Sequence, residues 1–276
     1  MKIRQAAVAG RFYPADRQST NALIEKLVED EKMNIDYNLS KHQIVGAVLP
    51  HAGYVYSGAT AVHFFEILRH SEQIPETFII INPNHSGRGA EIALDTHDAW
   101  RVSNGDIEID TEMAQQLGFD FSEEAHKYEH SAEVMLPLLN YFVNGKFKIL
   151  PITMSRQNAE NAQLIAQKIF NISKKLNRKI IFLASSDFSH YVEPGFGKIL
   201  DKEIIEKIIT FETEKMIQIV KQKHVSMCGY GPSAALMEYA KLICANPQAK
   251  LLRFGNSGEK TGSQEVVDYA SILFYK

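Results

Sequence analysis

The chain has 276 residues, 45% of them hydrophobic and 23% charged. That is enough apolar material for one large core and too much for a disordered chain or a small disulfide scaffold. Thirty Lys and Arg against 33 Asp and Glu leave a formal net charge of -3, so no global basic field draws the protein to nucleic acid. The longest apolar runs, Phe78-Ile79-Ile80-Ile81 and Ile180-Ile181-Phe182-Leu183-Ala184, fall far short of the roughly 18 residues of a membrane span.

Only four small apolar residues lie between Gln5 and Gly10, too few for a secretory leader. A cytoplasmic protein with no membrane or nucleic-acid partner is therefore expected. The two cysteines, Cys228 and Cys244, suit a reducing compartment. A mostly helical segment between them puts them about 20 Å apart, beyond disulfide reach. Cys244, beside Leu242 and Ile243 late in a helical pattern, is expected to be a packed core thiol.

In chain order, Ala22, Leu23, Leu27 and Val28 fall at helical spacing after Asp16 and the cap candidates Ser19 and Thr20, as far as about Asp30. Gln43 to Leu49 reads as a buried strand, followed by a Gly-punctuated turn and a helix through Ala59 to Leu68. Strand Thr77 to Ile81, strand Phe147 to Leu150, helix Ala159 to Lys175 and strand Lys179 to Leu183 repeat the alternation. Between them, Glu91 to Asp110 reads as a hairpin-like excursion. Further helical patterns run from Thr111 to Leu117, Val134 to Phe142, Lys198 to Ile209, Glu212 to Lys221 and Ser233 to Ala245, with Pro137 starting or kinking the second of these. Strands Lys250 to Phe254 and Val266 to Phe274 close the chain. Without repeats or linkers, residues 1–276 are expected to form a single α/β domain, an αβα sandwich around a central mixed, largely parallel sheet.

Three apolar strands end alike, in Val48-Leu49-Pro50-His51, Ile81-Asn82-Pro83-Asn84-His85, and Leu183-Ala184-Ser185-Ser186-Asp187-Phe188-Ser189-His190. Ligands of open α/β sheets bind beyond the carboxyl ends of the strands, where these three imidazoles can converge. Neutral imidazoles with one anionic ligand make a metal site with open positions. Cys228, in Ser226-Met227-Cys228-Gly229-Tyr230-Gly231-Pro232-Ser233, stands just before a helix, where the dipole lowers a thiol pKa. It is either that anionic ligand or a small residue buried in a tight loop.

His51-Ala52-Gly53-Tyr54-Val55-Tyr56-Ser57-Gly58, Pro83-Asn84-His85, Glu129-His130-Ser131-Ala132-Glu133-Val134-Met135-Leu136-Pro137, Ser185-Ser186-Asp187-Phe188-Ser189-His190, and Cys228-Gly229 with Pro232 resemble, in order, the motifs of the Memo family. Gly10-Arg11-Phe12-Tyr13 resembles its entry motif, so the likeness covers nearly the whole chain. The resemblance implies a fold related to the class III extradiol dioxygenases and a metal where those enzymes hold non-haem iron. It implies His51, His85 and Cys228 as ligands, with Asp187 and His190 at the rim of the same pocket. Cys228 stands where the dioxygenases use a carboxylate, and this softer thiolate favours copper(I), zinc or iron. Prokaryotic relatives are grouped as the B component of the AmmeMemoRadiSam set, which implies a radical SAM partner. Eukaryotic relatives are described as motility adaptors that bind phosphotyrosine peptides and as metal-dependent redox proteins.

Asp187, three residues before His190, either accepts from that imidazole and fixes its tautomer or caps an Asx turn. Glu129-His130 supplies another pocket imidazole or a surface ion pair. Tyr54 and Tyr56 flank His51 on alternate sides of an extended piece, so at most one faces the cleft. Tyr56, Phe12 and Tyr13 form an aromatic wall for a planar substrate or pack in the core. The other histidines, among them His97 and His126, carry no expected role.

The expected function is that of a metalloprotein, a metal-dependent redox enzyme or dioxygenase-like protein. His51, His85 and Cys228 bind iron(II) or copper, with zinc a further option; Asp187 and His190 manage protons, and Tyr56, Phe12, Tyr13 and His130 meet the substrate. A binding or adaptor protein holding a peptide or small anion in the same cleft is the alternative. A serine hydrolase using Ser233 with Asp187 and His190 is the weaker rival, because no strand precedes the serine.

Overall fold

The computed structural model describes residues 1–276. After a short strand β1 (Ile3–Arg4), helix α1 (Arg17–Glu31) begins where the Asp16 side chain accepts from Ser19 N–H. Then come β2 (Ile44–Leu49), α2 (Tyr54–Arg69), β3 (Thr77–Pro83), β4 (Ile92–Leu94), β5 (Ala99–Val102), β6 (Gly105–Glu108), α3 (Thr111–Leu117), β7 (Asp120–Phe121) and α4 (Glu123–His126). The second half contains α5 (Leu136–Phe142), β8 (Lys148–Met154), α6 (Ala159–Lys175), β9 (Ile180–Ser185), β10 (His190–Val192), α7 (Pro194–Ile209), α8 (Thr213–Gln222), α9 (Tyr230–Ile243), β11 (Gln248–Asn256), α10 (Gly258–Thr261) and β12 (Val266–Tyr275).

Nine strands form the main sheet in the order β10-β12-β2-β9-β3-β8-β4-β7, with β11 also paired to β12. The four central strands β2, β9, β3 and β8 run parallel, while β12, β11 and β10 on one side and β4 on the other add antiparallel edges. Every residue of β2 and β3 is buried, as expected of parallel strands covered on both faces. Helix α2, backed by α1 and α5, packs on one face; α9 with α6 and α8 covers the other, and α7 lies over β11 and β12. The αβα sandwich is therefore as expected. No helix is long and apolar enough to cross a membrane.

Several expected boundaries move. Helix α2 starts at Tyr54, so Tyr54 and Tyr56 are helical and do not alternate across an extended segment. The hairpin within 91–110 consists of β5 and β6, which join β1 in a separate three-stranded sheet, while Ile92–Leu94 belongs to the main sheet. Pro137 stands in the first turn of α5, where its missing N–H costs nothing. Cys244 is the C-terminal cap residue of α9 and only partly buried; it is not a packed core thiol, because the helix ends there and the chain turns toward solvent.

Candidate metal centre

β2, β9 and β3 are consecutive parallel neighbours, so the segments leaving their carboxyl ends emerge side by side. His51 follows β2, Ser185 ends β9, and His85 follows β3. The ring centroids of His51 and His85 lie 5.2 Å apart, and His130 is 5.4 Å from the first and 4.8 Å from the second. His51 is 2% exposed.

Cys228 reaches this point from the loop between α8 and α9. Its N–H bonds the Asp187 carbonyl at 3.3 Å, and Gln157 donates to its carbonyl at 2.7 Å while accepting from Gly231 N–H at 2.7 Å. Gly229 N–H donates to Ser186 Oγ at 3.0 Å. A Cβ at 229 would stand 2.0 Å from the Ser185 carbonyl oxygen, so only glycine allows this loop to press against the end of β9. The Cys228 sulfur lies 3.3 Å from His51 Nε2. One donor atom from each of His51, His85 and Cys228 falls within 4.8 Å of the others, a group able to hold a metal ion. Two imidazoles and a sulfur suit iron, copper or zinc and not a hard oxygen-loving cation.

The electrostatics agree with that donor set. Burial, then the neighbouring His130 and His85 rings, hold the His51 pKa well below its usual 6.5, so the ring is neutral. Burial also pushes the Cys228 thiol well up, and Asp187 pushes it further. The expectation of a dipole-lowered thiol is thus corrected: desolvation outweighs the helix end, and a bound cation is what would make this thiolate. Burial opposes ionisation of Glu129, but hydrogen bonds from His85 and Ser131 outweigh it and bring its pKa to about 2.

Around the cluster, His51 Nδ1 meets Ser185 Oγ at 2.7 Å, and His85 Nδ1 meets Glu129 Oε1 at 2.9 Å. Glu129 is 3% exposed, a buried partner and not part of a surface ion pair. His85, Glu129 and His130 form a second group of metal-ligand type. Glu129 Oε1 is already occupied there by Ser131 N–H and Oγ–H as well as His85, so Glu129 supports the centre and does not form another.

Asp187 and His190 are not hydrogen-bonded to each other. Asp187 accepts from His51 N–H at 2.8 Å, its other oxygen lies 3.9 Å from His51 Nε2, and burial raises its pKa to about 6. His190 opens β10, where its N–H donates to Ser226 Oγ at 2.7 Å and its buried Nδ1 has no partner. The Asp187 carboxylate thus turns toward His51, because the chain between positions 187 and 190 is engaged by β12 and α7.

Phe12 packs on the His130 ring at 4.9 Å, and Tyr56 stands 42% exposed in the first turn of α2. Tyr13 does not join them: it is 3% exposed and its hydroxyl donates to Glu133 at 2.7 Å, so it is a core residue. Ser233 is fully buried inside α9, donating to the Gly229 carbonyl at 2.9 Å, which removes the serine-hydrolase reading. Glu129, Ser131 and Ser185 also belong to the site, beyond the residues the sequence singles out. The one sequence signal for the first two is their place in Glu129-His130-Ser131.

A family model described as Memo-like protein matches residues 4–273. A MEMO1 family protein of Methanococcoides burtonii is 37% identical over 274 residues, covering 98% of this chain and 99% of its own. Another, from Methanopyrus kandleri, is 37% identical over 280 residues, with 98% of each chain covered. A crystal structure of an uncharacterized Escherichia coli K12 protein superposes with a TM-score of 0.54 at 10% identity, over 84% of this chain and 99% of that one, a likeness of fold alone.

Proposed function

This chain belongs to the Memo family, and from that premise we propose that it is a non-haem metalloprotein of redox type acting on a small molecule. His51, His85 and Cys228 would hold one iron(II) or copper ion. The observation that supports this reading is the convergence of two imidazoles and one sulfur within 4.8 Å, on segments far apart in the chain. A bound iron or copper ion supplies Lewis acidity and electron transfer at open coordination positions.

The chain's own groups take the remaining tasks. Asp187, with a pKa of about 6, exchanges a proton near neutral pH. His190 is half-buried and its buried Nδ1 has no partner within the protein, so its ring would turn to hydrogen-bond a ligand. The His130 ring, backed by Phe12, offers a flat wall to a planar substrate.

Elemental analysis of untagged protein prepared without oxygen tests the reading. Wild type is expected to carry close to one metal ion per chain, and His51→Ala and Cys228→Ser to lose it while staying folded. Equal metal content in all three would refute it.

A further inference from the structure

Each liganding imidazole has one nitrogen facing the centre and one facing the protein, and the protein-facing partners belong to a single chain of hydrogen bonds. We propose that Glu129, Ser131 and Ser185 form one brace that holds the protons of His51 and His85 on Nδ1, leaving both Nε2 lone pairs free for the centre before a metal binds. The proposal rests on the reading of these residues as a metal centre and adds three positioning residues to it.

The donor arithmetic is closed at each joint. The Ser185 hydroxyl has one proton, and it goes to the Ser131 carbonyl at 2.7 Å, a group that can only accept. Toward His51 Nδ1, also at 2.7 Å, Ser185 Oγ can therefore only accept, and that nitrogen must carry the hydrogen. Glu129 Oε1 takes Ser131 N–H at 3.0 Å and Ser131 Oγ–H at 2.7 Å, while Oε2 takes His85 N–H at 2.8 Å. Surrounded by donors, the carboxylate also accepts from His85 Nδ1 at 2.9 Å. Ser131 is the joint: its N–H and hydroxyl hold the Glu129 arm, and its carbonyl holds the Ser185 arm. Ser131 and Ser185 are fully buried, Glu129 is 3% exposed and His51 2%, so water does not replace a missing partner on the His51 arm, while the His85 ring itself is 36% exposed. Partners of this kind orient metal-bound histidines and raise their basicity.

The test is long-range proton–nitrogen NMR of the 15N-labelled full chain freed of metal with a chelator, followed by zinc titration. Spectra are recorded at alkaline pH, where both rings are neutral, because Glu129 outweighs burial and raises the His85 pKa. In wild type, His51 and His85 are expected to carry hydrogen on Nδ1. Ser185→Ala should lose that pattern for His51 alone and Glu129→Ala for His85 alone, whereas Ser185→Thr, which keeps the hydroxyl, should retain it. Both alanine variants should bind zinc about 10–100-fold more weakly than wild type. Should Glu129→Ala fail to fold, Glu129→Gln keeps an acceptor and is expected to preserve the His85 tautomer. Hydrogen on Nε2 of either ring in wild type, or tautomers unmoved in the alanine variants, overturns the brace. Wild-type tautomers as stated with no zinc uptake would instead overturn the metal reading alone.

Discussion

Cys228 Sγ lies 3.3 Å from Nε2 of His51, although 177 positions separate them in the chain. Nothing local brings them together. β2 delivers the imidazole to the rim of the sheet, and the loop before α9 delivers the sulfur by docking on the end of β9.

Gly229→Ala places a methyl group 2.0 Å from the Ser185 carbonyl oxygen and 2.6 Å from Ser186 Cβ. The loop must withdraw and carry Cys228 with it. Zinc affinity should fall on the order of tenfold or more, as when a ligand's support is removed, with the circular dichroism spectrum retained. Wild-type affinity in a titration would show that the loop does not set the sulfur's position.

Arg4 and Glu133 form a buried ion pair at 2.6 Å, with side chains 2% and 0% exposed. The guanidinium also donates to the His126 and Glu129 carbonyls, and it therefore fastens the N-terminal segment to the stretch carrying Glu129 and His130. Arg4→Met leaves a buried carboxylate without its counter-ion and should cost about 3–5 kcal/mol. Urea unfolding measures this; a loss below about 1 kcal/mol would contradict it, being the size of an exposed pair.

Tyr13→Phe removes the hydroxyl that donates to Glu133 at 2.7 Å. A hydrogen bond to a charged group contributes about 1.5–3 kcal/mol, and stability should drop by that amount while zinc affinity stays at the wild-type level. Weaker metal or ligand binding with unchanged stability would return Tyr13 to the cleft.

Asp268 is fully buried against Asp201, with neither carboxylate oxygen meeting a donor in good geometry. Burial, reinforced by Asp201, raises its pKa from 3.8 to about 8. A carboxyl raised on folding binds its proton more tightly in the native state. Its stabilisation is therefore complete below about pH 4 and is lost as pH rises through about 8. Asp268→Asn lacks that titration. The melting temperature of the variant minus that of wild type should increase between pH 5 and pH 9; a constant difference would count against the assignment.

The parts of this centre that were legible in the sequence are those encoded locally. His51 and His85 follow apolar runs closed by proline, and these two runs are the buried parallel strands β2 and β3. Cys228 could be placed only at a turn before a helix, because its docking on Ser186 and Asp187 depends on residues about 40 positions away. Glu129 reads as a polar surface residue beside His130, yet tertiary packing buries it 44 positions from the His85 it holds. His97 and His126 also lie in polar stretches and are buried, the first on Asp95 at 2.8 Å and the second on the Ala93 carbonyl at 2.9 Å. Tyr13 reads as a cleft residue for the same reason: its partner, Glu133, is 120 positions away.

The most direct measurement of the central claim is an anomalous difference map from crystals of the full chain grown with cobalt(II) or zinc(II). A single peak should lie about 2.0–2.1 Å from Nε2 of both His51 and His85 and about 2.3 Å from Cys228 Sγ. An ion bound elsewhere, or one that these three side chains do not share, would contradict it.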